Sequence, residues 1–271
     1  MARVILAELT ITPALAGITG VELLKEELKL SARQRQKVIR TRGFKVNGRA
    51  AHSHTKLKVG QVVQVSLPAE EQVKVEPKPL PLDIIYEDDH LLVVSKPAGT
   101  IVHHIKPNQK QPSLVEGAAY YFQEQGMVIT PRPVHRLDRG ASGVVIFAKT
   151  AEIQAALTKA WSGITKIYWV KVHGRLDRMG EITEPIKGKP ARTKYLPLEI
   201  GEDTTTLKVQ IFTGRTHQIR IHLAGIGHPV VGDYRYGNST SRRERLALHC
   251  WQITLTHPVT NVSLQLTAPL L

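Results

Sequence analysis

A short loop that runs into a buried strand constrains this chain more than any other feature. Residues 135–143 read His-Arg-Leu-Asp-Arg-Gly-Ala-Ser-Gly, so Asp138 stands between two arginines and is followed by small residues that allow a tight turn. Residues 144–147 are β-branched or aromatic, which is typical of a core strand. A carboxylate kept ionised by flanking cations is a candidate nucleophile. The same pattern suits a structural turn with a surface Arg–Asp pair, so the loop alone leaves both interpretations open.

Three further segments carry recognisable motifs in a fixed order. Residues 86–99 end in Lys-Pro-Ala-Gly, residues 166–174 contain an Ile-Tyr-Trp-Val run, and residues 214–222 read Gly-Arg-Thr-His-Gln-Ile-Arg-Ile-His. Together with residues 135–143, these segments resemble the RluA-type pseudouridine synthases over residues 83–271. The resemblance implies an α+β catalytic domain with a mixed, mostly antiparallel sheet. It also implies an enzyme that isomerises uridine in RNA to pseudouridine.

The resemblance also assigns roles to single residues. Asp138 takes the catalytic position, and whether it attacks the ribose or the uracil ring stays open. Tyr168 lies against the target base, and Arg220 pairs with a buried Asp138, with Arg215 as the alternative if the register differs. Arg136 fills the space that the flipped-out base leaves, because a planar cation stacks well on bases.

The acid loop also departs from the family pattern. Gly140 and Ala141 stand where the family commonly has an acidic residue and threonine, so bracing hydrogen bonds could be lost and the effect on activity stays open. Arg139 is interpreted as a phosphate contact or a brace of the loop.

Isomerisation of uridine needs neither a redox change nor a group donor. We therefore expect no cofactor and no metal, in keeping with the absence of a P-loop, a dinucleotide-binding motif or a metal-ligand cluster from the sequence. Two alternatives compete with the synthase. One is an RNA-binding factor that has lost the chemistry, and the other is a nucleosidase, which usually requires a second carboxylate as acid.

The N-terminal part of the chain concentrates positive charge. Residues 29–58 contain ten Lys or Arg and no Asp or Glu. Residues 32–42 are predicted to form a helix, because Ser31 and Gln34 fit a capping box and Gly43 stands where a helix would end. A solvated helix face is the alternative explanation of this charge.

The elements around this helix indicate a small α/β domain. We predict a helix over residues 21–30, a hairpin of residues 44–46 and 49–51 around Asn-Gly, and a strand over residues 60–65. Residues 18–67 resemble the RNA-binding domain of the fourth protein of the small ribosomal subunit. The cations that we assign to RNA contacts there are Arg33, Arg35, Lys37, Arg40, Arg42 and Lys45.

Composition sets the domain division and the partner class. Residues 68–82 carry four prolines and alternating charges, so we predict that residues 69–82 form a linker between a domain of residues 1–68 and a catalytic domain of residues 83–271. The net charge of +14 indicates that the partner is a polyanion, and structured ribosomal RNA, or else transfer RNA, fits better than a membrane.

Three features of the sequence favour a cytoplasmic protein. The chain has a single cysteine, Cys250, no apolar run long enough to span a bilayer and no signal peptide. We expect the protein to be monomeric.

Overall fold

Two separate β-sheets organise the chain. They belong to two units, Met1–Lys74 and Val75–Leu271. The structure is a computed structural model, and it describes residues 3–30, 32–68, 75–104, 111–237 and 244–270. No helix in these ranges is long and apolar enough to cross a membrane.

The first unit is a four-stranded antiparallel sheet with helices. Its elements are β1 (Arg3–Thr10), α1 (Gly20–Glu22, continued by the π-helical turn Leu23–Glu27), α2 (Ala32–Arg40), β2 (Phe44–Val46), β3 (Arg49–Ala50) and β4 (Val62–Pro68). The strand order is β1-β4-β2-β3. The predicted hairpin and closing strand are confirmed, whereas the predicted helix over residues 21–30 is shorter and partly π-helical. The sequence analysis missed β1, which is an edge strand with mostly exposed side chains and therefore lacks a clear alternation.

The second unit contains one large sheet with three helices of eight residues or more in the described ranges. Its elements are β5 (Asp83–Glu87), β6 (Leu91–Lys96), α3 (Leu114–Glu124), β7 (Arg132–Pro133), β8 (Ser142–Ala148), α4 (Ala151–Ala160), β9 (Thr165–His173), β10 (Gly180–Ile182), β11 (Thr193–Ile200), β12 (Thr204–Ile211), α5 (Gln218–Gly225), β13 (Leu248–Thr256) and β14 (Ser263–Thr267). The main strand order is β10-β11-β12-β9-β13-β8-β6-β5, with β7 paired to β8 and β14 paired to β13. The mixed, mostly antiparallel sheet predicted from the sequence is confirmed, because β8 and β13 run parallel while the other described pairs are antiparallel.

Burial explains why the centre of this sheet forms where it does. Strands β6 and β8 are buried along their whole length, as the β-branched and aromatic run of β8 predicted for that strand. Strand β9 alternates between buried and half-buried residues, so Tyr168 lies on the buried face and Trp169 on the opposite one. In the register of the sheet, Cys250 of β13 pairs with Gly143 of β8 on one side and with Tyr168 of β9 on the other. Tyr168 is thereby brought close to the loop that carries Asp138.

The predicted linker divides between the described and undescribed parts of the chain. Residues 69–74 lie outside the described residues. Residues 75–82 are extended and belong to the second unit, where Leu80 packs against its core and the Lys78 ammonium donates a hydrogen bond of 2.7 Å to Glu116. A Cβ on Gly117 would overlap Leu80, so the close fit of this segment requires glycine there.

Candidate active site

The loop before β8 is held by backbone hydrogen bonds and by the side chain of Arg139. The carbonyl of Asp138 accepts the N–H of Ala141 at 3.1 Å, which closes the turn. The carbonyl of Arg139 accepts the N–H of Gly99 at 2.8 Å, and the Arg139 guanidinium returns a bond of 3.0 Å to the Gly99 carbonyl. The predicted bracing by Arg139 is therefore present, and the Lys-Pro-Ala-Gly turn is its partner.

The buried side chain of Lys96 also holds this loop in place. Its side chain is fully buried, and its ammonium donates to the carbonyls of Pro97, Thr100 and Arg139 at 2.9, 2.7 and 3.2 Å. Burial lowers the pKa of Lys96 to about 7, against the opposing attraction of Asp138. Lys96 and Gly99 thus fix the loop that carries Asp138 without any acidic residue at position 140.

The departure at Gly140 has a local explanation. A Cβ on Gly140 would lie 3.3 Å from the Cβ of the buried Leu246, so a larger residue here would require Leu246 to shift. Ala141 is buried as well. Although Gly140 and Ala141 bring no side-chain hydrogen bonds, the loop is still braced. Lys96 and Gly99 donate hydrogen bonds to its backbone.

Gly143 marks the point where the loop enters the sheet. Its φ is +111°, and a Cβ there would collide with the carbonyl of Cys250 in the parallel partner strand. Only glycine combines this backbone conformation with so close an approach. The start of β8, and with it the position of Asp138, is therefore fixed against β13.

Arg220 lies between two aspartates. Its Nη1 is 3.3 Å from Oδ2 of Asp138, while Nε and Nη2 donate to the two oxygens of Asp233 at 2.7 and 2.8 Å. The side chain of Asp233 is fully buried, that of Arg220 is 7% exposed and that of Asp138 is 23% exposed. The predicted pairing of Arg220 with Asp138 is present, but Asp138 is more exposed than the sequence suggested, and the closer partner is Asp233.

The hydrogen bonds of Arg220 govern the protonation of Asp233. Burial alone would raise the pKa of Asp233, but the bonds from Arg220 and from the backbone N–H groups of Arg235 and Tyr236 hold it below its ordinary value. The pKa of Arg220 is raised despite burial, because both aspartates favour its charged form. Arg220 and Asp233 thus form a buried ion pair in which both carboxylate oxygens accept a hydrogen bond from the guanidinium.

Helix α5 begins at Gln218. The side-chain carbonyl of Gln218 accepts bonds from the Thr213 hydroxyl and from the Arg215 N–H, and its amide donates to the carbonyl of Arg192. These bonds fix the turn that precedes the helix. Arg215 lies at the rim of the site, where its Nε bonds to the carbonyl of Pro190, and does not replace Arg220 as the partner of Asp138.

His217 stands immediately before this helix in a left-handed conformation, with φ of 58° and ψ of 23°. Its Nε2 is 3.7 Å from Oδ1 of Asp138, and its Nδ1 is 2.9 Å from the hydroxyl of Tyr236. The Tyr236 ring in turn faces the guanidinium of Arg220, whose carbon is 5.1 Å from the ring centre. His217 belongs to the arginine motif, and sequence reasoning missed it because only the conformation of residue 217 directs the ring towards Asp138.

Tyr168 reaches the same site from the sheet. It is buried, and burial, followed by its interactions with Cys250 and the charge of Asp138, raises the pKa of its hydroxyl well above the ordinary value. The Cys250 thiol, whose pKa burial raises to about 12, is its hydrogen-bonding neighbour. Both groups therefore stay protonated at neutral pH.

These residues surround one pocket of about 160 Å³. Five predicted site residues line it, namely Arg136, Asp138, Tyr168, Arg215 and Arg220. His217, Gln218, Leu137, Ala141, Ile211 and Leu248 complete much of the lining. Arg136 is exposed at the mouth, whereas Arg139 is directed to Gln111 and does not line the pocket.

In the first unit, the predicted cations lie on and after α2. That helix ends at Arg40, and Arg42 takes a left-handed conformation before Gly43. Arg35 donates a bond of 2.6 Å to the carbonyl of Leu30, which gives it a structural contact. The side chain of Arg33 lies outside the described part of the structure. A shallow groove here is lined by Ile39, Arg42, Phe44, Ala50, Ala51 and His52.

Comparisons with known proteins agree on one family. Residues 90–225 match the family of RNA pseudouridylate synthases. The chain is 34% identical to ribosomal large subunit pseudouridine synthase D of Nitrosomonas europaea over 290 residues, which is 97% of this chain and 84% of that protein. It is 32% identical to the protein of the same name from Escherichia coli K12, in an alignment of 258 positions that covers 83% of this chain and 78% of that protein; both alignment lengths include gaps.

Solved structures share the fold. Human RNA pseudouridylate synthase domain containing 1 superposes with a TM-score of 0.58 at 24% identity, over 73% of this chain and 86% of that one. Human RNA pseudouridylate synthase domain containing 4 gives a TM-score of 0.59 at 22% identity, over 69% and 88%.

Proposed function

The chain belongs to the RNA pseudouridylate synthase family, and from this premise we propose that it converts specific uridines of ribosomal RNA to pseudouridine with Asp138 as the catalytic carboxylate. One observation carries the proposal. Asp138 lies in a pocket with Arg220 at 3.3 Å, and the same pocket is lined by Tyr168. The relatives named as synthases of the large ribosomal subunit support ribosomal RNA as the substrate.

The reaction breaks the N1–C1′ bond of uridine and forms a C5–C1′ bond. No atoms are gained or lost, so the bond exchange requires no group donor or redox partner, and Asp138 starts it either by bonding transiently to the nucleotide or by removing a proton from it. The proposal therefore requires no cofactor. Arg220 orients Asp138 through the contact at 3.3 Å, and Tyr168 offers an apolar ring to the base.

The uridine must leave its stack before it reaches Asp138, because the carboxylate lies within a pocket. Arg136 is exposed at the mouth of this pocket and carries a planar cation that can stack on the bases left behind. The cationic α2 region of the first unit supplies phosphate contacts to the same folded RNA. We propose that the protein acts as a monomer in the cytoplasm.

The test compares wild-type protein with Asp138→Asn on ribosomal RNA that lacks pseudouridine. Pseudouridines are mapped by carbodiimide modification and primer extension after incubation with each protein. We expect new sites with the wild type and none with Asp138→Asn, because the amide keeps the shape of the acid but not its nucleophilicity or basicity. Asp177→Asn, an exposed position outside the pocket, is the matched control and should act as the wild type. Modification by Asp138→Asn within tenfold of the wild-type rate would overturn the assignment.

A further inference from the structure

Pseudouridine formation includes a proton transfer from C5 that is separate from the step assigned to Asp138. Once C5 has bonded to C1′, C5 still carries its hydrogen, and this proton must leave before the ring regains its C5–C6 double bond. The pocket therefore needs a group that is unprotonated at neutral pH and close to Asp138. Tyr168 does not meet this need, because its raised pKa keeps the hydroxyl protonated.

His217 meets both requirements by its position. Its side chain is 18% exposed and lines the pocket, and its Nε2 lies 3.7 Å from Oδ1 of Asp138. That distance is too long for a hydrogen bond, so Nε2 is not bonded to the carboxylate. Among the pocket-lining residues that the structure describes, His217 carries the only imidazole.

The opposite ring nitrogen is already engaged. Nδ1 is 2.9 Å from the hydroxyl of Tyr236, and the Tyr236 ring is held against Arg220. If the Nδ1–H donates to this hydroxyl, the lone pair of the neutral ring lies on Nε2, on the side of the pocket. In that tautomer His217 can accept a proton from a substrate in the pocket.

The surroundings of the ring keep it neutral. Burial lowers the pKa of His217 most, and the charges of Arg220 and Arg235 lower it further, whereas Asp138 and Asp233 act in the opposite direction. The net effect is a pKa below the ordinary value of a histidine. The left-handed backbone at φ 58° fixes where the ring stands, and non-glycine residues in this conformation are uncommon and concentrate at functional sites.

We propose that His217 is a catalytic base that accepts the C5 proton after the new C5–C1′ bond has formed. The electron pair of the C5–H bond restores the C5–C6 double bond, and the pair of the C6–N1 double bond moves onto N1, which takes a proton from water. His217 then releases its own proton to water, so one proton is lost at C5 and one is gained at N1. This inference rests on the proposed isomerisation and adds a residue to it.

The test measures a deuterium isotope effect at C5. Single-turnover rates are compared on target RNA that carries either uridine or 5-deuterouridine, with wild-type protein and with His217→Asn. Asparagine tolerates the left-handed backbone but cannot act as a base near neutral pH. We expect the variant to be slower by about 10²–10⁴-fold, and its protium-to-deuterium rate ratio to exceed that of the wild type, because proton removal has become limiting.

Controls separate this outcome from loss of structure. His228→Asn changes a histidine outside the pocket lining and should leave both the rate and the isotope effect as in the wild type. RNA affinity and the thermal unfolding midpoint of His217→Asn should stay near those of the wild type. If this variant does not fold, the wild type still provides a test: at a pH below the pKa of His217 the imidazole is protonated, and its isotope effect should rise.

The possible failures are distinguishable. If the wild type makes no pseudouridine, the proposed function is wrong. If the wild type is active and His217→Asn is slow with an unchanged isotope effect, His217 only positions other groups and the inference is wrong. A variant as fast as the wild type would overturn it equally.

Discussion

Asp233, and not Asp138, is the principal partner of Arg220. The two oxygens of Asp233 bind Nε and Nη2 at 2.7 and 2.8 Å, whereas Asp138 meets the remaining Nη1 at 3.3 Å. A guanidinium held on one edge by a buried carboxylate presents its remaining N–H groups in a fixed direction. Asp233 therefore orients the cation, and the cation orients Asp138.

The first prediction concerns the stability of this pair. Arg220→Ala leaves the fully buried Asp233 without its counter-charge, and we expect a loss of about 3–5 kcal/mol in the free energy of unfolding. Urea denaturation followed by tryptophan fluorescence measures it, because Trp161, Trp169 and Trp251 all lie in the second unit. Arg215→Ala removes a half-buried side chain that is bonded to one carbonyl and should cost much less. Equal stabilities of the two variants would contradict the prediction.

The second prediction concerns Glu116, at the start of α3. Its carboxylate accepts bonds from Lys78, His104 and the Ser113 N–H, and these outweigh burial and lower its pKa to about 2. Because the pKa is lower in the folded protein than in the unfolded chain, the contribution to stability is complete above about pH 4.5 and disappears as the pH falls towards 2.

Glu116→Gln should therefore destabilise the second unit by about 2 kcal/mol at pH 7, and the difference from the wild type should shrink between pH 4.5 and 2. The measurement is the urea midpoint as a function of pH. Glu124→Gln, exposed on the same helix, is the control and should show no such dependence. A difference that stays constant over this range would refute the role of the Glu116 charge.

The sequence predicted those parts of the site that local patterns determine. Motifs that resemble the synthase family identified Tyr168 and Arg220, and in the structure Tyr168 lies on the buried face of β9 and Arg220 follows buried Ile219 in α5. The role of Asp233 could not be predicted from the sequence. It depends on the hydrogen bond to Arg220, which lies thirteen residues earlier in the chain, and on the complete burial of the Asp233 side chain. The ring direction of His217 depends on one left-handed residue, and no periodic pattern encodes such a conformation.

The third prediction concerns the cations of the first unit. Arg40→Gln with Lys45→Gln should weaken RNA binding and reduce the slope of log affinity against log salt concentration by about 0.7–0.9 for each phosphate contact removed. Filter binding of target RNA at several salt concentrations measures this slope. Lys25→Gln is the control, because Lys25 is exposed but paired with Glu26 outside α2. An unchanged slope in the double variant would mean that this region does not contact phosphates.

The last prediction separates Arg136 from the groups that perform the chemistry. Arg136 is exposed at the mouth of the pocket, so its removal should leave Asp138, Arg220 and the fold intact. If its side chain fills the stack that the uridine leaves, Arg136→Ala should slow the reaction on a folded stem-loop by roughly 10- to 100-fold, because unstacking costs a few kcal/mol. On an RNA whose target uridine is already unpaired and unstacked, that cost is absent and the variant should approach the wild-type rate. Arg178→Ala, another exposed arginine of the second unit, should have no effect on either RNA. A loss of the same size on both RNAs would place Arg136 in the chemical step instead of in base flipping.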